Sequence, residues 1–126
     1  MTDDQLTEKI IACAFKVHNA LGPGFAEKVY ENATRHELVT QAVDVRQQVP
    51  IKVYYEGEVV GDFYADLWVE SRIIVELKAV QNLLKEHEVQ LVNYLTATKT
   101  DTGLLINFGP SVEVRRKFRE YKPKPK

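Results

Sequence analysis

Residues 73 to 78, Ile-Ile-Val-Glu-Leu-Lys, constrain the fold of this chain more than any other stretch. Four apolar residues, Ile73, Ile74, Val75 and Leu77, surround Glu76, and Lys78 follows. A short run this hydrophobic reads as a strand buried on both faces. Such a strand seldom carries a carboxylate and an ammonium two residues apart, so both groups need a reason of their own.

The pattern on either side of this strand sets the architecture. Leu6, Ile10, Cys13, Ala14, Val17 and Leu21 recur at helical spacing, with Asp3 or Asp4 to cap the start. Cys13 lies on that stripe and reads as a small core residue. Gly22, Pro23 and Gly24 stop the helix, and a second helical pattern runs from near Phe25 to about Leu38. From Val43 the chain turns β-rich, with a hairpin at residues 56 to 58, Pro50 expected on an edge or at a strand start, and a second turn at residues 69 to 72. Leu83 to Thr98 is again helical, with Leu84, Leu91, Val92 and Leu95 as its apolar set. Gly103 to Gly109 forms another buried strand, and Val112 to Phe118 a last edge strand. The order is helix, helix, three strands, helix, strand, strand: an α/β domain over residues 1–121, with 122–126 as a basic flexible tail.

A chain of 126 residues is long enough for one hydrophobic core without disulfides or a structural metal. No apolar stretch approaches the ~20 residues of a membrane span, and the polar, acidic N-terminus is not a secretory signal. The single cysteine fits a reducing cytoplasm. Net charge is −1, but seven Lys or Arg residues against one acid crowd the stretch from Arg115 to Lys126. That segment suits phosphate binding or simple solubility.

Glu76 and Lys78 share a strand face, and Asp66 lies almost as far before the turn near residues 70 and 71 as Glu76 lies after it. A hairpin therefore sets Asp66 and Glu76 opposite each other, within about 5.5 Å. Two carboxylates that close repel unless a proton or a cation separates them, and a hard divalent ion such as Mg²⁺ or Mn²⁺ is the natural partner. Lys78 beside it is placed to orient water and stabilise charge on a phosphate. The competing reading is that Glu76 and Lys78 face solvent and form weak cross-strand ion pairs with other residues.

At this point the sequence resembles a known family. "GFAEKVYE" matches a G-x-x-E-x-x-Y signature through Gly24, Glu27 and Tyr30, and "VHNALGPGF", "YADLWVESRIIVELKA", "HEVQLVNYL" and "GLLINFG" extend the resemblance to the GxxExxY proteins over nearly the whole chain. These are placed in the PD-(D/E)XK nuclease superfamily, which implies a restriction-endonuclease-like αβββαβ core with a mixed sheet flanked by helices.

The resemblance implies roles residue by residue. Asp66, Glu76 and the carbonyl of Leu77 are metal ligands, and Lys78 is the catalytic lysine; the proline that often precedes the first aspartate is Ala65 here. Glu27 is a further metal-site acid, or else a helix-start glutamate favoured by the macrodipole. Its spacing places Gly24, Glu27 and Tyr30 on one helical face, with Gly24 admitting a close backbone; Tyr30 is either a core aromatic or a site residue. His87, Gln90 and Tyr94 form one helical stripe, from which Gln90 is expected to position water or a phosphate and Tyr94 to contact a phosphate or base; a solvated helix face is the alternative. His18 belongs to the resemblance without an evident chemical role. The three histidines do not make a zinc site.

The implied activity is a Mg²⁺- or Mn²⁺-dependent nuclease acting on DNA, a homodimer where two strands are cut. RNA involves the same bond, and nothing in the sequence reads a 2′-hydroxyl. The alternative is a non-catalytic nucleic-acid or protein interaction module on the same fold, which has no need of two repelling carboxylates.

Overall fold

The computed structural model describes residues 1–119, so the expected basic tail lies outside the described residues. Helix α1 (Asp3–Leu21) starts at Thr2 and not at an aspartate. The Thr2 hydroxyl accepts from the Gln5 amide at 3.1 Å while the Gln5 side chain accepts from the Thr2 amide at 2.9 Å, a reciprocal cap. Asp3 and Asp4 occupy the first turn, where the helix dipole favours them, and pair with Arg72 and Arg116. Leu21, counted on the apolar stripe, is exposed at the helix end; Cys13 is buried as expected.

Helix α2 spans Glu27–Thr40, and β1 (Val45–Tyr55) and β2 (Glu58–Val69) form the hairpin. Its two-residue turn has φ 50° at Glu56 and 82° at Gly57, the backbone that matches the right-handed twist of two paired strands. Strand β3 (Ile73–Lys78), helix α3 (Lys85–Thr98), β4 (Thr102–Phe108) and β5 (Val112–Phe118) complete the chain. Leu84 precedes α3 and is exposed, so it leaves the helix's apolar set. The sheet runs β1-β2-β3-β4-β5, antiparallel except for the parallel β3–β4 pair joined across α3. Pro50 sits on the edge strand β1, where a missing N–H does least harm.

Both faces of the sheet are covered. Helices α1 and α2 pack on one side with Leu67, Val69, Ile73, Val75, Leu77, Leu104 and Ile106. Helix α3 packs on the other through Leu91, Tyr94 and Leu95, against Val49, Ile51, Ala65, Ile74 and Leu105. Strand β3 thus buries alternate residues in opposite layers, which is why it reads as continuously apolar.

Ala65 and Leu67, two apart on β2, belong to opposite layers. Regular alternation would put them on one face. The strands therefore turn over at Asp66, and opposite it Gln48 has φ 51° and drops out of the β1–β2 register between the Gln47↔Leu67 and Val49↔Ala65 rungs. This local break positions the site.

Candidate active site

Strand β2 pairs with β3 through Leu67↔Val75, Trp68↔Ile74 and Val69↔Ile73, and no further. The next rung would join Asp66 to Glu76, and there side chains replace the backbone ladder. The Asp66 amide donates to Glu76 Oε1 at 3.1 Å, and the Leu77 amide donates to Asp66 Oδ2 at 2.8 Å. The two carboxyl groups sit in the fork where the hairpin leaves the sheet, each satisfying a backbone donor that the parting strands would orphan. Register alone brings them together, as the turn position implied.

Their electrostatics follow from that placement. Glu76 is 8% exposed, and burial first, then the Asp66 charge, push its carboxyl up to about 9. Burial and the nearby Glu31 charge raise Asp66 as well, against the opposing bond from the Leu77 amide. Near neutral pH, with no cation present, Glu76 therefore keeps its proton. Lys78 follows on the same face of β3, half-buried; its charge favours the ionised form of Glu76, and it makes no hydrogen bond or ion pair among the described residues.

Glu31 is the acid that α2 turns toward this fork. Its side chain is only 5% exposed and accepts from Lys28 at 2.8 Å, Gln47 at 2.7 Å and Gln48 at 2.9 Å. The Gln48 amide also lies 3.3 Å from Asp66 Oδ1, so one amide spans both acids. Neither Glu31 nor Gln48 was among the residues expected from sequence. From the α3 side comes Tyr94, whose hydroxyl burial and the Glu76 and Asp66 charges push up to about 12, so it remains a neutral phenol. Gln90 donates to that hydroxyl at 2.8 Å.

The sequence pattern of the PD-(D/E)XK nuclease superfamily matches residues 4–119, nearly all of the chain. The chain belongs to the PD-(D/E)XK nuclease superfamily.

Among solved structures, a chain described as "Crystal structure of SSO0001" superposes with a TM-score of 0.60 at 17% identity, over 76% of this chain and 52% of that one. The likeness is one of fold, restriction-endonuclease-like, and this chain spans about half the length of that protein. No curated protein matches by sequence. Members of the superfamily typically use Mg²⁺ or Mn²⁺. Among the described residues no three His, Cys, Asp or Glu side chains converge tightly enough to enclose an ion. At the fork the fold brings together two carboxyl groups, Asp66 and Glu76, with Glu31 held one amide away.

The residues of the G-x-x-E-x-x-Y signature, and the two histidines of the wider resemblance, fall elsewhere. Glu27 is the exposed first residue of α2, with no hydrogen bond or ion pair among the described residues; one turn later, Glu31 faces the fork instead. Gly24 precedes the helix, so it shares no helical face with Glu27 and Tyr30. Nothing lies within 4 Å of where its Cβ would stand, and its φ of 107° is what requires glycine, not a close backbone. Tyr30 is fully buried; its hydroxyl donates to the Gly22 carbonyl at 2.6 Å and accepts from the Phe25 amide at 3.2 Å, and its ring stacks on Phe108 at 4.6 Å. It pins the loop between α1 and α2 onto the core.

His18 contacts the Gly109 carbonyl through Nε2 at 2.8 Å, tying the end of α1 to the turn after β4. His87 accepts from the Leu84 amide at 3.1 Å, so it caps α3, while Tyr94 packs beside Ala65 and Ile74 and Gln90 holds its hydroxyl. No helix among the described residues is long and apolar enough to cross a membrane.

Proposed function

We propose that this PD-(D/E)XK chain is a Mg²⁺- or Mn²⁺-dependent nuclease that hydrolyses DNA phosphodiester bonds, of the GxxExxY kind and working in the cytoplasm. The observation that carries the proposal is the fork, where the Asp66 and Glu76 carboxyl groups each accept from the backbone of the other's strand beside a lysine that has no hydrogen bond or ion pair among the described residues. A binding module gains nothing from that arrangement. A site that holds a cation against both carboxylates does.

The donor set fits a hard divalent ion. Mg²⁺ is ordinarily held by one or two carboxylates, with water and substrate phosphate completing its shell, so the absence of a third converging carboxylate among the described residues suits it. Asp66, Glu76 and the Leu77 carbonyl would hold the ion, which when bound polarises the phosphate and acidifies water. Lys78 orients the attacking water and offsets charge growing on the phosphate oxygens. Glu31 acts through Gln48 on the orientation of Asp66. The Tyr94 phenol, steadied by Gln90, donates to a phosphate oxygen or water.

Calorimetric titration with Mn²⁺ tests the ligand set without a guess about substrate. Wild type is expected to bind and a folded Asp66→Ala variant not to; binding that survives in Asp66→Ala removes the fork as the metal site. Glu31→Ala is expected to weaken Mn²⁺ and Glu27→Ala to leave it unchanged.

Gln48→Gly separates positioning from stability. The left-handed backbone at Gln48 is strained for any residue but glycine, so the melting temperature is expected to hold or rise. Mn²⁺ affinity is expected to fall about 10- to 100-fold, the usual effect of losing a group that orients a ligand. A stable Gln48→Gly protein with wild-type affinity would show that the amide bridge has no bearing on the metal.

A further inference from the structure

Beyond the fork the hairpin has no β3 partner, because β2 meets β3 only from Leu67 onward. Its free half leans instead toward α3, and a groove of about 1140 Å³ runs between them. That exceeds the ~300–1,000 Å³ typical of small-molecule pockets. Tyr54 and Phe63 enter it from the hairpin and Tyr94 from α3; the Phe63 and Tyr94 rings are in tilted contact, their centroids 5.6 Å apart at 43°. Tyr54 is 63% exposed and Phe63 41%, more than their own fold requires. Lys52 and Lys85 border the same groove, with Glu86 the one acid among its lining residues.

We propose that this groove binds single-stranded nucleic acid and leads it to the acidic fork; the second half of that statement rests on the nuclease reading. Two observations select this occupant. Tyr94 lines the groove and also packs in the layer of Ala65 and Ile74, the neighbours of the fork acids on β2 and β3, so the groove wall adjoins the fork. Aromatic faces interleaved with ammonium groups suit bases that stack and phosphates that follow the lysines. In a duplex each base face is already covered by its neighbours, whereas an unpaired strand can turn its bases onto Tyr54 and Phe63. The groove thereby favours ends, flaps or single-stranded regions over intact duplex.

The test uses the full chain in EDTA, with fluorescein-labelled oligo-dT of about 12 nucleotides and a duplex of the same length, read by fluorescence anisotropy. The single strand is expected to bind more tightly than the duplex. Base–aromatic stacking of ~1–3 kcal/mol corresponds to a loss of roughly 5- to 150-fold in Tyr54→Leu and in Phe63→Ala. Tyr54→Leu keeps apolar bulk at an exposed position and removes only the ring, so it distinguishes stacking from hydrophobic docking even if Phe63→Ala fails to fold. Equal affinity for duplex, or unchanged oligo-dT affinity in Tyr54→Leu, overturns the proposal. So does a dimer in sedimentation that Tyr54→Leu converts to monomer, which would make the groove a subunit interface. Failure of the nuclease reading shows separately, as oligo-dT binding without Mn²⁺ binding at Asp66.

Discussion

Replacing Glu76 with glutamine is expected to raise the melting temperature of the metal-free protein at pH 9 while abolishing Mn²⁺ binding and DNA cleavage. The Glu76 carboxyl moves from an ordinary 4.5 up to about 9 in the folded chain, because burial and the Asp66 charge oppose ionisation. The folded state therefore holds a proton that the unfolded state releases across that interval. Its stabilising contribution is complete below pH 4.5 and is lost as pH rises toward 9, so wild type in EDTA should melt progressively lower from pH 5 to pH 9. Asp66, raised for the same physical reasons, adds in the same direction.

Glutamine keeps the acceptor for the Asp66 amide and supplies an N–H where the protonated acid faces Asp66. Its melting temperature should vary far less with pH and exceed that of wild type at pH 9. Mn²⁺ should restore wild type most strongly at high pH, where no proton competes, and leave Glu76→Gln unmoved. Cleavage should fall on the order of 10³-fold or more, the loss of several kcal/mol of transition-state stabilisation. Differential scanning fluorimetry across pH, with and without Mn²⁺, decides the matter. A wild-type melting curve that is flat with pH in EDTA would mean that Glu76 is not a buried acid under strain.

The fork was legible in the sequence because a hairpin's register is fixed by its turn. Asp66 and Glu76 are equidistant from residue 71, and β3 is too apolar to slip by one residue without burying its polar pair among α1 and α2. The element order followed from periodicity, and the fold from the same two periods. Glu31 had a weaker signal that was available: it lies three residues before Thr34 and seven before Leu38, on the buried stripe of α2, where an acid is out of place. The signature drew attention to Glu27 instead, one helical turn away and on the exposed side.

Gln48 left no sequence signal, because a left-handed φ at a strand glutamine is imposed by tertiary contacts with Glu31 and Asp66. The exchange of faces at Ala65 and Leu67 was invisible for the same reason, since an alternating pattern reads alike on either side of such a break. Sequence reasoning thus failed where local geometry departs from regular strand, beside the acidic pair. The aromatic hairpin was visible in composition, yet only the helix packed against it turns exposed Tyr54 and Phe63 into the wall of a groove.

Lys78→Met is expected to separate metal binding from chemistry. Methionine retains an apolar stem of similar reach and removes the charge, and Lys78 has no hydrogen bond or ion pair among the described residues whose loss would disturb the fold. Two electrostatic effects on the metal oppose each other. Without Lys78 the Glu76 carboxyl holds its proton more firmly, which weakens metal binding near neutral pH, while a cation no longer meets a positive neighbour. Mn²⁺ affinity should therefore change little. Cleavage has no such compensation: the group that orients water and offsets phosphate charge is gone, and the rate should fall by roughly 10²- to 10⁴-fold. Lys78→Arg should recover little, because a planar guanidinium does not place a point charge where the ammonium stood and cannot surrender a proton near neutral pH. Calorimetry and a cleavage assay on the same preparations give the answer. Loss of both properties together would make Lys78 a prop for the acid pair, and full activity in Lys78→Met would remove it from the chemistry.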